Sequence, residues 1–234
     1  MRDLFLSFGI DISSSHEEML KSYFDLLISW NEKINLTSIT SYDEVLVKHF
    51  LDSALILSSS VSDLNLSSDS RVLDVGTGAG LPGMVLAILK PEWKFVLLDS
   101  LGKRVEFLNV IIEKLSLDNV VAIHGRAEDI ARDQNYREGF DLVVSRAVAD
   151  MRLLLELCIP FVNEDGFFVS YKGPRFAEEL STASHALEEL NVKCVSDVSF
   201  DLSGADRSLV FFKRDGLLSD RYPRRAGIPA KRPL

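Results

Sequence analysis

The residues best equipped for chemistry lie between Asp74 and Gly83, in the stretch DVGTGAGLPG. Gly76, Gly78 and Gly80 follow an apolar run (Val72, Leu73, Val75), and a second apolar run extends from Met84 to Leu89. A buried strand that turns on glycines into a helix N-terminus brings backbone N–H groups close to a ligand. Glycine accepts positive φ and carries no Cβ, and the first turn of the helix offers free donors. A P-loop requires Gly-x-x-x-x-Gly-Lys-Ser/Thr; Gly78 and Gly83 have that gap, but Met84 and Val85 follow. A dinucleotide fingerprint starting at Gly76 and Gly78 requires glycine at position 81, which is Leu81. What remains is acidic-x-Gly-x-Gly-x-Gly beginning at Asp74. An acidic residue there suits a cofactor that carries a sulfonium and an ammonium rather than a pyrophosphate. A purely structural turn needs one glycine, not three.

The elements that must hold this loop follow from periodicity. Between His16 and Trp30, apolar residues (Met19, Leu20, Tyr23, Phe24, Leu27) recur at helix spacing, with Ser14 or Ser15 as N-cap. A second helix is expected over Tyr42–Ser58, and the serine-rich run from Ser58 to Ser70 reads as a connection. Beyond the glycine loop, strands are expected at 94–98, 120–124, 140–145 and 166–171. Helices are expected at 103–115, 151–162 and 176–190, and two consecutive strands near 193–200 and 207–213 close the sheet. Buried apolar strands separated by helices define an α/β fold with a doubly wound, mostly parallel sheet. The last two strands, with no helix between them, give it an antiparallel edge. The expected division is 1–69, an N-terminal helical segment; 70–213, the sheet domain; and 214–234, a basic C-terminal tail.

Composition narrows the class. The 234 residues carry a net charge of −9 and 47% hydrophobic residues, ordinary values for a globular chain. No apolar run approaches the roughly 18–20 residues of a membrane span, and the N-terminus lacks signal-peptide features. Cys158 and Cys194 lie in apolar surroundings without metal-ligand spacing, so reduced, buried thiols, no metal site and a cytoplasmic location are expected. From Lys213 onward, seven basic residues face two acidic ones, leaving +5 on a body of −14. That asymmetry suits a polyanionic partner or a solvated, disordered end, and composition leaves both open.

In a doubly wound sheet, ligands bind at the carboxyl ends of the strands. That rule selects Asp99, followed by Ser100 and Leu101, as a carboxylate for ribose hydroxyls or a helix cap. It also selects Ala127 with Glu128 or Asp129, for an adenine edge or again as caps. Arg146 ends the fourth strand and Lys172 the fifth. No Asn/Asp-Pro-Pro-aromatic signature of amino-group transfer follows Ser145, and Cys158 sits mid-helix rather than in a loop where a nucleophile would stand.

The chain resembles class I S-adenosylmethionine-dependent methyltransferases in its glycine loop, and over nearly its whole length it resembles a narrower group. The stretches WNEKINLTSIT (30–40), KHFLDSA (48–54), VLDVGTGAGLPG (72–83), LDSLGKRVEFLN (98–109) and GRAED (125–129) carry the likeness, together with FDLVVSRAVADM (140–151), SYKG (170–173) and RYPRRAGIPAKRPL (221–234). They are similar to the glucose-inhibited division protein B family, bacterial small-subunit rRNA guanine-N7 methyltransferases. Ala79 stands where that family often has proline. The resemblance implies cofactor contacts at Gly76, Leu81, Asp99, Ser100, Leu101, Ala127, Glu128 and Arg146, beside the Asp74 and Gly78 read from the loop. It implies that Asn35, His49 and Asp52 lie near the active-site face, where they join Arg146 and Lys172 as candidates on the substrate side. It also implies 16S rRNA or the small-subunit particle as partner, with neither DNA nor a membrane involved. Guanine N7 has a free lone pair, so no general base is obligatory; His49 is then structural or substrate-contacting.

Overall fold

The computed structural model describes residues 1–61, 64 and 66–234. Ser62, Asp63 and Asn65, within the serine-rich connection, lie outside the described residues. A short helix, α1 (Arg2–Leu6), precedes α2 (Ser14–Ile34). The α2 cap is Ser13 rather than Ser14 or Ser15. His16 N–H donates to Ser13 Oγ (3.1 Å) and Ser13 N–H donates to His16 Nδ1 (3.3 Å), a reciprocal box in which histidine takes the usual place of glutamate. The helix expected over Tyr42–Ser58 is helical to Leu57 but irregular. It runs through α3 (Tyr42–Val45), a π-helical turn (Leu46–Leu51), α4 (Asp52–Ala54) and a 3₁₀ turn (Leu55–Leu57). A π turn shifts the side chains that follow by about one position around the axis.

The sheet then alternates: β1 (Arg71–Val75), α5 (Gly83–Leu89), β2 (Lys94–Asp99), α6 (Gly102–Leu115), β3 (Val120–His124), α7 (Ala127–Ile130), β4 (Phe140–Arg146), α8 (Met151–Cys158) and β5 (Val162–Lys172). The helix expected to reach 162 ends at Cys158, where Pro160 sits in a 3₁₀ turn. The helix expected over 176–190 is two, α9 (Phe176–Ser181) and α10 (Ser184–Glu189). At the break, the Ser181 and Thr182 hydroxyls donate to the Glu178 and Glu179 carbonyls (2.7 and 2.8 Å), competing with the helical ladder. Two long strands, β6 (Val192–Asp201) and β7 (Asp206–Arg214), and a final turn of helix, α11 (Ile228–Lys231), complete the chain.

Strand order is β3-β2-β1-β4-β5-β7-β6; β1 to β5 pair in parallel, and β7 runs antiparallel to both β5 and β6. Alternate residues of the strands feed two cores. One joins Val72, Leu97, Val144 and Phe211 to Tyr23, Leu27, Phe50 and α5. The other joins Leu73, Val143, Phe168 and Phe212 to α8, α10 and the late residues Leu218 and Tyr222. The N-terminal helices thus cover one face and the C-terminal segment the other. Cys158 is buried as expected; Cys194, on edge strand β6, is only half-buried.

Candidate active site

The glycine loop is fixed from three sides. Asp74 Oδ2 accepts from Thr77 Oγ1 (2.7 Å) and from Gly83 N–H (2.8 Å), tying the end of β1 to the start of α5. Asp99 Oδ2 accepts from Gly78 N–H (2.9 Å), while its Oδ1 accepts from Leu101 N–H (2.9 Å). Tyr23, buried on α2 and stacked on Phe50, donates its hydroxyl to the Ala79 carbonyl. That loss of water pushes the Tyr23 phenol well above its usual range. The loop is therefore held by its own carboxylates and by a helix some fifty residues upstream.

Gly76, Gly78 and Gly80 all have positive φ (71°, 60° and 95°). A Cβ at Gly76 would lie 2.6 Å from Val148, and one at Gly80 2.8 Å from Met84. At Gly78 it would meet nothing closer than the Gly76 carbonyl at 4.0 Å, so this position faces open space. Beside the loop is a cavity of about 190 Å³ lined by Gly76, Ser100, Arg126, Ala127, Glu128 and Val148, among others. Asp74 is fully buried, and its Oδ1 has no hydrogen-bond partner among the described residues. Burial raises its carboxyl to about 6, against the downward pull of the Thr77 and Gly83 hydrogen bonds.

A second cavity, of about 510 Å³, lies between the N-terminal helices and the ends of β4, β5 and β7. Lys48, His49, Asp52, Arg146, Lys172 and Arg207 line it. Arg146 donates to the Asp52 carboxylate and to the Lys48 carbonyl (3.1 Å), and Arg207 Nε lies 3.5 Å from the other Asp52 oxygen. Lys172 Nζ donates to the Ala149 carbonyl (2.9 Å) and pairs with Glu179 (2.6 Å). His49 Nε2 is 2.8 Å from Thr37 Oγ1, and Nδ1 is 3.0 Å from the Lys48 carbonyl, the pattern of a neutral ring. Burial first, then the Arg146 guanidinium, lower its pKa to about 4. The loop after β4 serves both cavities: Ala147 and Ala149 line the larger, Val148 the smaller.

The structure gathers most of the expected residues but not all. Gly76, Ser100, Ala127 and Glu128 meet at the smaller cavity; His49, Asp52, Arg146 and Lys172 meet at the larger. Arg146, a candidate on both the cofactor and the substrate side, lines the larger cavity. Leu81 packs its side chain into the core, and Leu101 is exposed at the start of α6. Asn35 is an exposed left-handed cap (φ 48°) ending α2 and lines neither cavity. Arg207 and Glu179 were not anticipated. The rule of carboxyl strand ends passes over Arg207 because β7 is reversed, so its first residues reach the edge where β4 and β5 end; Ser208 pairs with Lys172. The reversed strand was itself the available signal.

A doubly wound sheet in this order, with a three-glycine loop after β1 and a buried carboxylate ending β2, defines a class I S-adenosylmethionine-dependent methyltransferase. Solved structures share the fold at low identity. TYW2 from M. jannaschii in complex with AdoMet matches with a TM-score of 0.55 at 14% identity, over 76% of this chain and 79% of that one. A fibrillarin/Nop5p complex matches with a TM-score of 0.51 at 20% identity, over 69% and 79%. The chain belongs to the GidB family, rRNA small subunit methyltransferase G, whose family model matches residues 16–210. It is 45% identical to the ribosomal RNA small subunit methyltransferase G of Lachnoclostridium phytofermentans, over 97% of this chain and 93% of that protein. The protein of the same description from Lactococcus lactis subsp. lactis is 43% identical, over 99% and 98%.

Proposed function

We propose that this enzyme transfers a methyl group from S-adenosylmethionine to N7 of a guanine in 16S rRNA, presented as RNA or within the small-subunit particle, in the cytoplasm. Two observations fit the cofactor: the open space at Gly78, and the buried, unpartnered Asp74 Oδ1, which can accept from its ammonium group. Asp99 and Glu128 serve its ribose and adenine ends. When bound, S-adenosylmethionine supplies an electrophilic methyl carbon.

The observation that supports the acceptor assignment is that, among the described residues lining the larger cavity, His49, Asp52 and Glu179 are each engaged and none is a free base. His49 is neutral but its Nε2 is engaged with Thr37, and Asp52 is engaged by two guanidinium groups. Such a site suits an acceptor with a free lone pair, which needs no deprotonation before attack. The chain's contribution is then positioning, for which well-oriented intramolecular reactions allow about 7–11 kcal/mol. Lys48, Arg146, Lys172 and Arg207 give the cavity wall a cationic face for RNA phosphates. Among the described residues, no helix is long and apolar enough to cross a membrane, and no group of three or more His, Cys, Asp or Glu is placed to hold a metal ion.

The test is transfer of labelled methyl from S-adenosylmethionine to small-subunit RNA and particles lacking the modification, followed by digestion to nucleosides. Label in 7-methylguanosine is the expected result. Label in any other nucleoside would overturn the acceptor assignment while leaving the enzyme class intact.

A further inference from the structure

The C-terminal segment packs behind the wall of the smaller cavity, touching Glu128 of its lining and Glu156 beside Leu157. Tyr222 is buried in the core that contains α8, and Arg137 Nη1 donates to its carbonyl (2.8 Å). Arg132 donates to the next carbonyl, that of Pro223. Glu156, wholly buried on α8, has both oxygens engaged by Arg224. Oε1 accepts from the Arg224 backbone N–H (2.9 Å) and Nε (2.8 Å), and Oε2 from Nη2. A buried carboxylate stripped of water is stable only when its lone pairs are filled in this way, so Arg224 is locked in place.

Three residues further on, Gly227 N–H donates to Glu128 Oε1 (3.0 Å). Gly227 has φ 83°, a conformation that a side chain would strain. Glu128 lines the smaller cavity, and so does Leu157, the neighbour of Glu156 in α8. The anchor and the wall are thus one residue apart in the chain. Glu128 sits on a four-residue helix, α7, which by itself gives its long side chain little restraint. Its Oε2 takes no hydrogen bond among the described residues and is left to accept from an exocyclic amino group.

We propose that residues 221–228 form a fixed brace behind the wall of the cofactor cavity, and that Glu156, by holding Arg224, is a positioning residue that orients Glu128 toward the adenine end of S-adenosylmethionine. The proposal rests on the reading of the smaller cavity as the cofactor site. It also divides the basic tail: Arg224 is an internal strut, whereas Arg225, Lys231 and Arg232 remain exposed.

Coupling between two parts of one site is reciprocal, so cofactor binding must in turn steady the segment. Amide hydrogen exchange of the full chain, with and without saturating S-adenosylmethionine, reads this directly. The expected result is slowing by about tenfold at 222–228 as well as at 76–80. Slowing at 76–80 alone overturns the brace and leaves the cofactor site standing; slowing at neither overturns both. A second measurement uses Arg224→Lys, which keeps the charge and loses the planar fork. By calorimetry it should weaken cofactor binding by about tenfold in the native chain and by less than about twofold in a Glu128→Ala background. Equal losses in both backgrounds would mean that Arg224 does not act through Glu128.

Discussion

Asp74 and Asp52 are both buried carboxylates at the ligand-binding end of the sheet, held by opposite means. Among the described residues, Asp74 has hydrogen-bond donors but no counter-ion, and one of its oxygens is unpartnered. Asp52 lies between the guanidinium groups of Arg146 and Arg207. The first carboxylate is under-compensated and ready for a cation. The second is over-compensated, and the spare donors of its partners face the larger cavity. On the proposed function, two ligands of opposite charge, a sulfonium–ammonium cofactor and a polyanionic substrate, would thereby be sorted to neighbouring sites by the same residue type.

The contrast can be broken most forcefully at Asp52. Asp52→Ala leaves two cations without their partner and should cost about 3 kcal/mol, the low end for a broken buried pair because Arg207 is 30% exposed. Urea unfolding measures this, and a loss under about 1 kcal/mol would show that the three residues do not act as a unit. On the cofactor side, Gly78→Ala puts a methyl group into open space at φ 60°. It should weaken S-adenosylmethionine binding by about 1–3 kcal/mol through crowding; unchanged affinity by calorimetry would remove the cofactor from that position.

The pH dependence sharpens the contrast. A cation binds ionised Asp74, whose carboxyl stands at about 6 because of burial. Cofactor affinity should therefore be complete above about pH 6 and fall below it, by up to roughly 1.4 kcal/mol per pH unit. Stability moves the other way. The raised value favours the folded state at low pH, and that contribution is lost as pH rises from the usual carboxylate range through about 6. A flat affinity profile between pH 5 and 7 (both roughly a unit from that value) would separate Asp74 from the cofactor. The smallest effect belongs to the tail. Arg225→Ala should reduce the salt slope of RNA binding by about 0.7, and Arg224, engaged by Glu156, should owe any effect to folding rather than phosphate contact.

The cofactor half was legible because its information is contiguous. Asp74, Gly76, Gly78 and Gly80 declare a strand, a turn and a helix start by spacing alone, and Asp99 follows by the strand-end rule. The substrate half was only partly legible because its residues meet across long separations. Asp52 and Arg146 are 94 positions apart, and Arg207 arrives on a reversed strand. His49 and Asp52 entered through family likeness, not through any local pattern. The tail misled most. Its composition suggested free cations, but one of its arginines answers a buried glutamate, Glu156, that looked in the sequence like an ordinary polar position on a helix.

The most direct test measures two affinities, for S-adenosylmethionine and for small-subunit RNA, on two variants. Asp74→Asn should weaken cofactor binding by about tenfold and leave RNA binding intact, whereas Arg207→Ala should do the reverse. If both variants lose the same ligand, Asp74 and the Asp52–Arg207 pair do not serve separate sites and the division of the active site described above is wrong.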